Sequence, residues 1–86
     1  MIREQIFNMD NITIVNAKKN IEYIVQEISG GVGARRRLNQ MGIHVGDIII
    51  VRRSGIMGGP VLIEVNGSEV AIGRGMAKKI IVGAVR

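Results

Sequence analysis

The sequence predicts a mainly β fold, a small curled or closed β-barrel carrying one short basic α-helix. Hydrophobic residues make up 47% of the 86-residue chain, yet there is no Trp, one Tyr and one Phe, so Ile and Val must fill the core. Such β-branched packing favours sheet. About five strand-like runs are separated by turn residues, and a single stretch changes to a helical period. In a chain this short, curling or closing the sheet is the economical way to remove exposed edges, because a flat two-layer sandwich needs more chain.

Taken in order, Met1 to Asn11 has no clean period and reads as an N-terminal extension, leaving residues 12–86 for one domain. Ile12, Ile14 and Val15 suggest a short strand, followed by the polar bend from Asn16 to Asn20. A second strand is expected through residues 23–28, since that run mixes Tyr with branched residues and stops at Ser29-Gly30-Gly31. From Val32 to Met41, Ala34, Leu38 and Met41 fall at i, i+4 and i+7 and form an inward stripe. Arg35, Arg36, Asn39 and Gln40 are left outward, and Gly42 tolerates a left-handed stop. A helix of about two to three turns persists only when packed on a sheet.

Asp47 opens Ile48-Ile49-Ile50-Val51-Arg52-Arg53, whose unbroken branched run suggests a central strand. Ser54 to Pro60 is a glycine-rich connection with Ile56 and Met57 at its tip. Asn66-Gly67, between Val61 to Val65 and Ser68 to Ile72, is the strongest hairpin signal in the chain. A two-residue turn there sets Val65 opposite Ser68, Glu64 opposite Glu69 and Ile63 opposite Val70. Val61, Ile63, Val70 and Ile72 then share the core face. Gly73 to Lys79 makes one helical turn before a closing strand from Ile80 to Val85.

Twelve Lys and Arg against seven Asp and Glu give a net charge of +5, unevenly spread. Residues 1–30 carry Arg3, Lys18 and Lys19 against Glu4, Asp10, Glu22 and Glu27, whereas residues 31–86 carry nine basic side chains against three acidic ones. The second part attracts acidic proteins, anionic membranes or nucleic acid alike. The absence of Cys excludes disulfides, thiolate metal sites and thiol nucleophiles. No apolar run is long enough to cross a bilayer and no cleavable leader pattern opens the chain, so a soluble protein without membrane insertion is expected.

The basic segment Gly30 to Met41, Gly42-Ile43 followed by Val45-Gly46-Asp47, Arg52-Arg53, Gly58-Gly59-Pro60, and Val65 to Ile72 before Ala77 occur in a telling order and spacing. Over about Ile14 to Val82 this pattern resembles the FeoA family, small cytoplasmic accessory proteins of the bacterial ferrous iron transporter. The resemblance implies an SH3-like β-barrel, a fold also found as the C-terminal domain of iron- and manganese-responsive repressors. It implies association with FeoB, a membrane permease with a cytosolic GTP-binding domain. The expected role is a non-catalytic regulator of Fe(II) uptake, cytoplasmic and peripheral at the inner membrane face through FeoB, with no required cofactor. The chain departs from the family at Asn16 to Asn20, where a Pro-Gly turn is common.

Two contact surfaces follow. The helix face of Arg35, Arg36, Asn39 and Gln40, continued by Arg37, can bind partner carboxylates, or it is a solvated face paired with Glu22 or Glu27. The loop Ile56, Met57, Gly58 and Gly59 either inserts into a partner groove or folds inward over the core. Glu64 and Glu69 can bridge Fe(II) or another divalent ion weakly, or be neutralised by an arginine of Arg52-Arg53. His44 is a surface cap or packing residue that can join such binding. Self-association through an uncovered strand edge is also compatible with the pattern.

Catalysis lacks a nucleophile and base, and Gly30 to Gly33 lacks the Lys-Ser/Thr ending of a phosphate loop. A basic SH3-like nucleic-acid-binding or repressor-type regulatory module is the alternative from another class, since Arg52, Arg53, Lys78 and Lys79 add to the helix arginines. The near absence of aromatics for base stacking argues against it.

Overall fold

Alternation decides which side chains enter the core. In β4 (Val61–Val65), Val61, Ile63 and Val65 are buried while Leu62 and Glu64 between them are only partly covered. The computed structural model describes residues 12–85, and the extension expected at residues 1–11 lies outside the described residues. The remaining elements are β1 (Ile12–Thr13), a 3₁₀ turn (Ile14–Asn16), β2 (Glu22–Ile28), α1 (Gly31–Gln40), β3 (Ile48–Ser54), a second 3₁₀ turn (Ile56–Gly58), β5 (Ser68–Ile72), α2 (Arg74–Ala77) and β6 (Ile80–Ala84). Among the described residues the strands form one antiparallel sheet in the order β1-β6-β2-β3-β4-β5. The β4–β5 register is the expected one, with Glu64 opposite Glu69 and Val65 opposite Ser68.

Two irregularities bend the interior strands. Against β6 the register of β2 shifts between Val25 and Glu27, so the buried positions step from Tyr23 and Val25 to Ile28. Against β4 the register of β3 shifts between Val51 and Arg53, leaving Arg52 and Arg53 both exposed. Each inserted residue adds local bend and twist to its strand. The resulting core is aliphatic apart from Tyr23 and draws Ile14, Leu38, Ile43 and Ala77 from outside the strands.

The expected SH3-like β-barrel is not formed. The sheet is open, with β1 and β5 at its two ends and no ladder between them. β1 gives only two residues to pairing before the chain coils into the 3₁₀ turn, and Ile14 enters the core instead of extending the strand. β5 is followed by α2, which packs against that same turn. Two helical turns therefore meet where a closing ladder would run.

α1 ends as Gly42 predicts. The Gly42 N–H donates to Asn39 O and the Ile43 N–H to Leu38 O, each at 3.0 Å, with Gly42 at φ +89°. This is the paired-bond C-terminal motif in which a left-handed residue satisfies the last helical carbonyls. It brings Ile43 next to Leu38 in the chain path, and both are fully buried.

Gly55 closes the base of the loop between β3 and β4. Its N–H donates to Pro60 O at 2.9 Å, and a Cβ on it would stand 2.5 Å from the Gly59 carbonyl carbon. A Cβ added to Gly58, at φ +82°, would meet nothing within 4 Å. Gly55→Ala is expected to cost about 2 kcal/mol or more in chemical denaturation, because backbone must move, whereas Gly58→Ala costs about 1 kcal/mol of left-handed strain. Equal losses would contradict the tight closure at Gly55.

Candidate interaction surface

Successive α-helical residues are separated by about 100°, so Val32, Arg35, Arg36, Asn39 and Gln40 fall on one side of α1 and Leu38 on the other. These five line a shallow, open depression of ≈ 390 Å³. Arg37 is exposed but turns away from that face and does not line it. Among the described residues, Arg35, Arg36 and Arg37 have no carboxylate at ion-pairing distance, so the local pairing with Glu22 or Glu27 is not made.

The start of α1 adds to the positive field. Gly30 gives no side-chain cap and the first turn has no acidic residue, so the unpaired N–H groups there carry their partial positive charge uncompensated. Lys79 lies over this end, with its Cδ and Nζ at 3.0 and 3.2 Å from where a Cβ on Gly30 would stand. Ser29 N–H donates to Lys79 O at 2.8 Å and fixes the two segments together.

The second predicted surface is the loop carrying Ile56, Met57, Gly58 and Gly59. Met57 is 96% exposed and sits at φ 60°, ψ 40°, a left-handed conformation unfavourable for a side chain of this size. Of the two alternatives for the loop, Met57 takes the exposed one. Arg74 Nη2 donates to Gly55 O at 3.4 Å, and its Nη1 is buried without a partner among the described residues. The segment from Arg74 to Lys79 thus touches the loop base at one end and the entry of α1 at the other.

The metal candidates do not assemble. Glu64 and Glu69 are opposite, but Arg52 Nε and Nη2 reach Glu64 Oε1 at 3.0 and 2.9 Å, and Arg52 Nη1 donates to Asn20 Oδ1 at 2.8 Å. His44 sits against Asp47, its backbone N–H donating to Oδ2 at 2.8 Å and its Nδ1 3.5 Å from the same oxygen. Among the described residues no three His, Cys, Asp or Glu side chains form a group able to hold a metal ion. The neutralising arginine is therefore the arrangement present at Glu64.

Sequence reasoning missed Val32, treating it only as the first helical residue. The signal was available, because the spacing i, i+3, i+4, i+7 and i+8 puts Val32 on the same outward face as Arg35, Arg36, Asn39 and Gln40, an apolar residue among polar ones. It also missed Arg74 and Lys79, whose contacts lie far apart in sequence.

A family model described as the FeoA domain matches residues 12–84. Over 66 residues the chain is 48% identical to a candidate Fe(2+) transport protein A of Methanocaldococcus jannaschii, covering 77% of this chain and 78% of that protein. It superposes on the crystal structure of an iron uptake regulatory protein, FeoA, with a TM-score of 0.77 and 34% identity, over 86% of this chain and 96% of that one. ScaR with bound Zn2+ superposes with a TM-score of 0.79 at 22% identity, over 88% of this chain and 38% of its own, a likeness of fold alone.

A double-mutant cycle with Arg52→Ala and Glu64→Ala is expected to give a coupling of about 0.5–1 kcal/mol in urea denaturation, as for a partly exposed ion pair. Coupling indistinguishable from zero would show that Arg52 does not neutralise Glu64.

Proposed function

This chain belongs to the FeoA family, and on that premise we propose that it docks through the outer face of α1, with the Met57 loop as a second contact, on the cytosolic part of the FeoB-type permease. It is a non-catalytic accessory of ferrous iron uptake that acts by protein contact. Fe(II) is the cargo of that system, and the docking reading requires no metal on this chain. Among the described residues no helix is long and apolar enough to cross a membrane, which fits a partner that supplies the transport path.

One observation carries the choice of surface. Arg35 and Arg36 stand on an exposed face with no carboxylate beside them among the described residues, near a helix start already rich in positive charge. Guanidiniums in this state retain their full capacity for charge-assisted, two-pronged bonds to carboxylates. The Met57 loop supports the same reading from its own geometry, since a nearly fully exposed apolar side chain in a strained backbone conformation has no packing role in the free protein. The segment from Arg74 to Lys79 contacts the base of the Met57 loop at Gly55 and the entry of α1 at Gly30. Self-association is a secondary proposal, supported by β5 having, among the described residues, a strand neighbour on one side only.

In binding measurements on the matching full-length permease, the unaltered chain is expected to bind saturably. Changing Arg35 and Arg36 together to Glu should weaken binding at least about tenfold, with the loss reduced at high salt. Arg37→Glu, off the lining face, should have a clearly smaller effect. Equal effects of all three changes would point to a diffuse field rather than a docked face.

A further inference from the structure

Resting on the docking of α1 to the permease, we propose that this face takes an acidic protein segment bearing one aliphatic side chain, the aliphatic group seated on Val32 and its carboxylates on Arg35 and Arg36. Val32 is 63% exposed and takes no part in the core. Helix propensity does not explain it either, since a β-branched residue in an exposed helical position is a weak helix former. The helical spacing sets Arg35 and Arg36 on either side of it, one turn further along, with Asn39 and Gln40 completing the depression.

That arrangement selects among anionic partners. A nucleic-acid backbone offers phosphates to the arginines but nothing for an apolar floor between them. An anionic lipid surface can take up the valine, yet it would also have to accommodate the Asn39 and Gln40 amides that share the same face. A polypeptide with carboxylates around one aliphatic residue matches every group on the face. Its carboxylates pair with guanidiniums, its side chain covers Val32, and its backbone meets amides able both to donate and to accept.

The test is Val32→Ser, with Val32→Leu beside it, measured against the matching full-length permease at low and high salt. Val32→Ser should bind roughly tenfold more weakly, the scale of one aliphatic side chain covered at an interface. That factor should persist at high salt, because an apolar contact is not screened, while the effect of removing the arginine charges shrinks. Val32→Leu should bind at least as well as the unaltered chain. Val32 points to solvent, so circular dichroism and denaturation should match for all three proteins, and Val32→Thr replaces the serine variant if they do not.

Val32→Ser binding within about twofold of the unaltered chain, while the Arg35 and Arg36 reversal fails to bind, overturns the aliphatic contact and leaves the docking reading standing. Failure of the unaltered chain to bind the permease removes the docking reading, and this inference with it. Tighter arginine-dependent binding to duplex DNA, or to vesicles of anionic phospholipid, assigns the face to that partner instead.

Discussion

The burial of Leu38 governs the functional side of this molecule. It is the one α1 residue that is fully buried, and the chain path through Met41 and Gly42 places Ile43 in the same core. The helix is otherwise poor by local standards. Gly31 and Gly33 weaken it, Val32 is β-branched, and the arginines follow an entry that already carries positive partial charge. Ten residues of this composition do not hold a helix in water by themselves. Tertiary anchoring at the C-terminal end therefore fixes which residues face outward, and the outward row is what remains once Leu38 is seated. An acidic partner would relieve the charge conflict that the fold leaves in place.

The sheet provides the rigid side of this arrangement. Its aliphatic face receives the anchor, while the shifts near Gln26 and Arg52 bend β2 and β3 without breaking their pairing. The short segment from Arg74 to Lys79 then does two jobs at once. Arg74 holds Gly55 at the base of the Met57 loop, and Lys79 lies against the entry of α1.

Much of this was legible from sequence because it depends on neighbours. The helix bounds follow from Ala34, Leu38, Met41 and the stop at Gly42, and the hairpin register follows from Asn66-Gly67. The opposition of Glu64 and Glu69, and an arginine of the Arg52-Arg53 pair as its remedy, were also readable. Barrel closure was not, because it depends on whether β1 and β5, distant in sequence, meet as a ladder. Nothing local in Ile12 to Val15 says that Ile14 will turn into the core after two paired residues. The register shifts escaped for a similar reason, since an extra residue appears only against the partner strand. The reach of Arg74 to Gly55 and of Lys79 to Gly30 lies beyond any spacing rule.

Site-specific photo-crosslinking to the full-length permease tests most directly whether α1 presents the docking face. A crosslinking side chain at Asn39 should capture the permease, and one at Glu69, out on β5, should not. Capture from Glu69 with none from Asn39 would place the contact on the sheet edge and contradict the central claim.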